Sequence, residues 1–146
     1  MWHAKQLLVV FMLSAPAVAD VLAVDLHRRE VDQKNPGGKD LVMSFEEVSR
    51  DERTSLARVT YKSGGSVGAS MFVVRGFYDI ARARGAAYFI KLKEWSAADG
   101  AQMYLVGFSN DKNVPPAEYF GLAAPLPGEI RFMSVEQFSG IFGARK

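Results

Sequence analysis

Gly64-Gly65-Ser66-Val67-Gly68 has the G-x-S-x-G spacing of a nucleophile elbow, in which a serine sits on a tight turn between a strand and a helix. Acyl transfer from such a serine needs a general base, and in the α/β-hydrolase order the acid and the histidine follow the nucleophile. This chain has two histidines, His3 and His27, and both precede Ser66. A lysine base would escape that objection, but no lysine is marked out by its position, and 146 residues are few for that fold. A structural turn is therefore the favoured reading, with Ser66 as an N-cap accepting from a free backbone N–H of the next helical turn. The backbone from Gly64 through Gly65 and Ser66 to Val67 is also a candidate anion or ligand site, because a helix N-terminus offers free N–H groups and a favourable dipole. It carries neither the G-K-[ST] of a P-loop nor the G-x-G-x-x-G of a dinucleotide fold.

Other chemistries are poorly served. With no cysteine, thiol catalysis, cysteine metal sites, disulfides and N-terminal lipidation on cysteine are excluded. Glu46-Glu47 and Asp51-Glu52 stand at adjacent positions, which do not converge on a strand or a helix, so no metal and no cofactor is expected. A carboxylate pair for glycoside hydrolysis is compatible with the spacings, although solvated charge is the commoner role. A second surface is formed by Lys91, Lys93 and Trp95 with Tyr104 across a hairpin, amphipathic side chains suited to a partner or to the rim of a core.

Positioning these residues falls to a strand, a helix and a hairpin. On a 100° wheel, residues 66–85 place Arg75, Asp79 and Arg82 on one side, with Gly68 and Phe72 beside them. Val67, Ser70, Val73, Val74, Phe77, Tyr78, Ile80 and Ala81 form the apolar arc. Gly85 fits the left-handed position that ends a helix, while Gly76 costs the interior about 1 kcal/mol relative to alanine and implies a close packing contact. Before the helix, Ala57, Val59 and Tyr61 alternate with Arg58, Thr60 and Lys62, a half-buried strand. After it, Tyr88 to Trp95 reads as a strand, and Asp99-Gly100 as a two-residue type I′ hairpin turn. That turn would set Trp95 opposite Tyr104, Lys93 opposite Val106 and Lys91 opposite Phe108.

The chain begins with Lys5, an apolar run from Leu7 to Leu13, and Ala17-Val18-Ala19, the pattern of a secretory signal cleaved after Ala19. Seven apolar residues are too few to span a bilayer, which takes about 20. Residues 20–146 are expected to form one domain without a transmembrane segment, located in the periplasm. Loss of residues 1–19 leaves 17 basic and 16 acidic side chains, so charge makes no case for nucleic acid. Residues 27–40 read as a surface loop, Leu41 to Val48 as a strand and 46–53 as a charged connection. Four prolines between 115 and 127 exclude a continuous helix there, and Ser134 opens a capping-box spacing before a short helix carrying Val135, Phe138, Ile141 and Phe142.

The run Tyr78-Asp79-Ile80-Ala81-Arg82-Ala83-Arg84-Gly85-Ala86-Ala87-Tyr88-Phe89 resembles a loose group of small uncharacterised bacterial envelope proteins and lipoproteins, over about residues 55–95. These share a strand, a helix ending before a glycine, and a strand opening with an aromatic pair. The chain departs from the lipoprotein members in having no cysteine to acylate, and the group has no agreed activity from which residue roles could be carried over. The expected fold is α+β: a mixed sheet of four to five strands, one long helix on one face, and an irregular C-terminal segment plus short helix on the other. The expected function is a non-enzymatic periplasmic accessory or binding protein, its partner a protein or small ligand of the cell envelope. The alternative is a small serine- or carboxylate-dependent hydrolase using Ser66.

Overall fold

The computed structural model describes residues 25–33, 40–63, 67–124, 126 and 131–143. Period-two alternation builds its sheet. In β2 (Leu41–Arg50) Met43, Phe45 and Glu47 point inward, and in β3 (Thr54–Ser63) Ser55, Ala57 and Val59 do so. Strand β5 (Gln102–Ser109) is buried on both faces and is accordingly central, with β4 (Tyr88–Ser96) beside it. The order is β1-β2-β3-β5-β4-β6, where β1 is Arg28–Gln33 and β6 is Met133–Ser134.

This overturns the expected fold class. The sheet has six strands rather than four or five, every pairing is antiparallel rather than mixed, and it curls into a half barrel that dominates the structure. The two strands that flank the helix in sequence, β3 and β4, do run in the same direction, but β5 folds back between them and pairs with both. A two-sided apolar strand belongs in the middle of a sheet, and β5 is the one such strand in this hairpin.

Strand β1 occupies part of the stretch read as a surface loop. Its sequence, Arg-Arg-Glu-Val-Asp-Gln, is exposed at most positions and has the charged composition that protects a sheet edge. The residues of the Pro-Gly-Gly turn lie outside the described set.

Helix α1 (Val67–Arg84) crosses the inner face and ends as the sequence implies. Gly85 adopts φ +68°, its amide donating to the Arg82 carbonyl and that of Ala86 to Ala81, a Schellman closure. Ala69, Phe72, Val73, Phe77, Ile80 and Ala81 make the buried stripe. Phe72, expected near the polar side, is only 8 % exposed because β1 and the C-terminal helix close over that flank. Gly76 is the close approach: a Cβ there would stand within 2.6 Å of three atoms of the Phe45 ring.

The C-terminal helix α3 (Val135–Phe142) is capped by Ser134, whose hydroxyl accepts from the Gln137 amide. It does not lie on the far side of the sheet. Phe142 packs on Tyr78 of α1 with ring centroids 5.3 Å apart, and Phe138 on Phe89 at 5.7 Å, so α1 and α3 share one face. The segment around α2 (Pro116–Tyr119) covers the outer face, where Phe120 sits on Gly107 and meets Phe132 with ring centroids 6.2 Å apart. Arg53 fastens that segment by donating to the Tyr119 carbonyl at 3.0 Å and stacking on the Tyr119 ring.

A methyl at Gly107 would meet three Phe120 ring atoms within 2.9 Å. Gly107→Ala should therefore displace Phe120 and cost about 1–3 kcal/mol in urea unfolding. Phe120→Ala added to it should restore part of that loss; two purely additive costs would show that Phe120 does not seat on Gly107.

Candidate functional site

Four of the expected surface residues are split between two faces by the backbone. The β4–β5 turn is centred on Ala98-Asp99, with the Gly100 amide donating to the Ala97 carbonyl and Gly100 at φ +84°. This is a three-residue loop closed by a left-handed glycine rather than a two-residue type I′ turn. The register moves by one, setting Trp95 opposite Met103 and Lys93 opposite Leu105, and a bulge at Leu92 moves it again, so Lys91 faces Val106. Lys93 and Trp95 therefore lie on the outer face, ammonium 5.2 Å from the indole centroid. Lys91 and Tyr104 lie on the inner face, where Glu94 takes the position opposite Tyr104 that the expected register gives to Trp95.

Inside, these residues line a cleft of about 320 Å³ beside α1. Its apolar wall is Val73, Val74 and Phe77 of the helix; its polar wall is Tyr61, Lys91, Glu94 and Tyr104. Phe77 meets the Tyr104 ring edge-on at 5.4 Å. The charged groups engage one another. Lys91 pairs with Glu94, whose other oxygen accepts from Gln102 at 3.3 Å, and Tyr61 and Glu94 line the cleft beside Tyr104. Burial, then the neighbouring Tyr61 and Glu94, push the Tyr104 hydroxyl far above its ordinary value, so it stays a neutral donor and acceptor. Tyr61 is 44 % exposed and forms the mouth. The alternation puts Tyr61 on the face of Ala57 and Val59, but only the register brings it and Glu94 to this cleft.

A second polar cluster lies where β2, β3 and the end of α1 meet. Glu47 is 1 % exposed. Arg50 donates to both its oxygens at 2.8 and 2.7 Å, the Ser55 hydroxyl adds a bond of 2.7 Å and the His27 amide one of 3.0 Å. Burial raises the Glu47 pKa, but these donors outweigh it and the carboxyl titrates below its ordinary value. Arg84 donates to Ser55 and to the carbonyls of Asp51 and Glu52. Nearby, Asp79 receives Arg29 at 3.3 Å and stands 3.5 Å from His27 Nε2. A carboxylate so fully bonded and so firmly ionised is a structural anchor rather than an acid–base catalyst. Its signal in the sequence was the phase it shares with Met43 and Phe45.

Of the glycine turn, Gly64, Gly65 and Ser66 lie outside the described residues, and Val67 is the first residue of α1. No group of three or more His, Asp or Glu side chains suited to a metal occurs among the described residues, and none of their helices is long and apolar enough to cross a membrane. No protein-family model, curated protein or solved structure matches the chain.

Proposed function

We propose that the protein is a non-enzymatic binding module of the bacterial cell envelope, exported by its N-terminal signal and cleaved after Ala19, and that the cleft beside α1 is where it takes its ligand. One observation carries this reading: the charged groups of the cleft, Lys91 and Glu94, are already paired with each other beside a buried phenol and an apolar helix wall. A neutral phenol, a paired ammonium and a paired carboxylate supply hydrogen-bonding and shape, the means of recognition, and hold no free base or activated nucleophile. The cleft of about 320 Å³ lies at the lower end of small-ligand sites, roughly 300–1,000 Å³. The likeness of residues 55–95 to small envelope proteins supports the same location.

The test sets recognition against hydrolysis at Ser66. The full chain, expressed in a Gram-negative host, should be recovered from the periplasmic fraction with Asp20 as its first residue. It should remain unlabelled by a fluorophosphonate probe. Labelling that disappears in Ser66→Ala would overturn the binding reading in favour of a serine hydrolase, and retention of residues 1–19 in the cytoplasm would overturn the export.

A further inference from the structure

On the other flank of α1, away from that cleft, β1, the first turns of α1 and α3 enclose a separate groove of about 310 Å³. Its walls are apolar: Val31, Leu41, Met71, Phe72 and Ile141, the last 56 % exposed at the rim. Two guanidinium groups, Arg29 and Arg75, border it, and they are in different states. Arg29 is neutralised by Asp79 at 3.3 Å and lies 5.8 Å from the Phe72 ring centroid. Arg75 packs over Phe142 at 5.4 Å, and its Nε is buried without a hydrogen-bond partner among the described residues.

A buried guanidinium N–H left without an acceptor is costly, and the geometry of arginine suits a planar two-oxygen anion. Among the described residues Arg29 is neutralised and Arg75 is in no ion pair, which leaves the groove with a single positive charge to be met. Apolar walls with one such charge at the edge select a ligand with an apolar body and one anionic end. The geometry points to a binding site for a short aliphatic monocarboxylate, its carboxylate on Arg75 and its chain between Met71, Phe72 and Ile141. This assignment stands on the groove alone and does not depend on the cleft across the helix.

Sodium octanoate is the probe, with octan-1-ol and octyltrimethylammonium as controls of matched chain length. Methyl resonances of Met71 and Ile141 in the full mature chain report the groove, and resonances of Tyr61 and Val73 report the cleft. Octanoate should shift the groove methyls saturably and bind at least about tenfold more tightly than octanol, the discrimination expected of a charge-assisted bond. Arg75→Gln should abolish that preference and leave octanol binding unchanged, while Arg75→Lys should retain part of it. The amide spectrum of each variant shows whether it is folded. Equal affinity for octanol and octanoate, an unchanged octanoate affinity in folded Arg75→Gln, no saturation at millimolar octanoate, or shifts confined to Tyr61 and Val73 would each overturn the assignment.

Discussion

Glu47→Ala is expected to lower the unfolding free energy by about 3–5 kcal/mol, the range for removing one member of a buried ion pair. The loss exceeds the worth of the pair itself, because the variant keeps Arg50 at 17 % side-chain exposure without the carboxylate that accepts two of its hydrogen bonds. It also strips the Ser55 hydroxyl and the His27 amide of their acceptor. Glu47→Gln, which keeps an oxygen but no charge, should fall between the two. The pH dependence provides an independent check with a definite sign. The folded-state pKa of Glu47 lies below its ordinary value of 4.5. Its contribution is therefore complete above that value and is lost as pH falls from 4.5 through the lower folded value, where the native state must take up a proton. Urea unfolding of wild type and Glu47→Gln across this window should show curves that are far apart at neutral pH and approach each other in acid. A gap that stays constant with pH would mean that Glu47 is not the ionised anchor of this cluster.

How much of this could be read from the sequence follows from where local rules suffice. The span of α1 and its end at Gly85 are set by periodicity and by a left-handed glycine, both local, and the structure has them as expected. The alternation of Ala57 and Val59 in β3 is of the same kind. What required the third dimension was pairing. Nothing in Tyr88–Ser109 says on which side of β4 its partner β5 will lie, and that choice turned a mixed sheet into an antiparallel one. Strand β1 was hidden because an edge strand exposed on most positions needs only Val31 to hold it, so the segment has no apolar alternation to detect. The expected surface of Lys91, Lys93, Trp95 and Tyr104 depended on unbroken register, and one extra turn residue together with a bulge at Leu92 was enough to divide it. A shift of one residue moves every later side chain to the other face, so small errors in turn type become large errors in a site.

The contact between Phe45 and Gly76 offers the second large effect, and it tests how closely helix and sheet are fitted. Phe45 is fully buried, its ring 5.9 Å from those of both His27 and Phe77. Phe45→Ala should cost about 3–5 kcal/mol through lost transfer energy and the cavity left behind. Gly76→Ala raises two opposing effects. Alanine favours the helix interior by about 1 kcal/mol over glycine. The new methyl, however, would overlap a phenyl ring held on several sides, and overpacking of that kind costs about 1–3 kcal/mol. The steric effect should win, making the substitution destabilising where helix propensity alone predicts the reverse. In the double variant the methyl of residue 76 enters space that the phenyl ring has vacated, so the overlap disappears and part of the cavity is filled. Propensity then acts unopposed, and the double variant should be more stable than Phe45→Ala alone, a change of sign for one and the same substitution. Urea unfolding of the four proteins in the cycle measures this directly, with a coupling of about 1–3 kcal/mol expected for residues in contact. Additive costs would mean that α1 can lift from the sheet without penalty, and that Gly76 is not what lets the helix lie so close to β2.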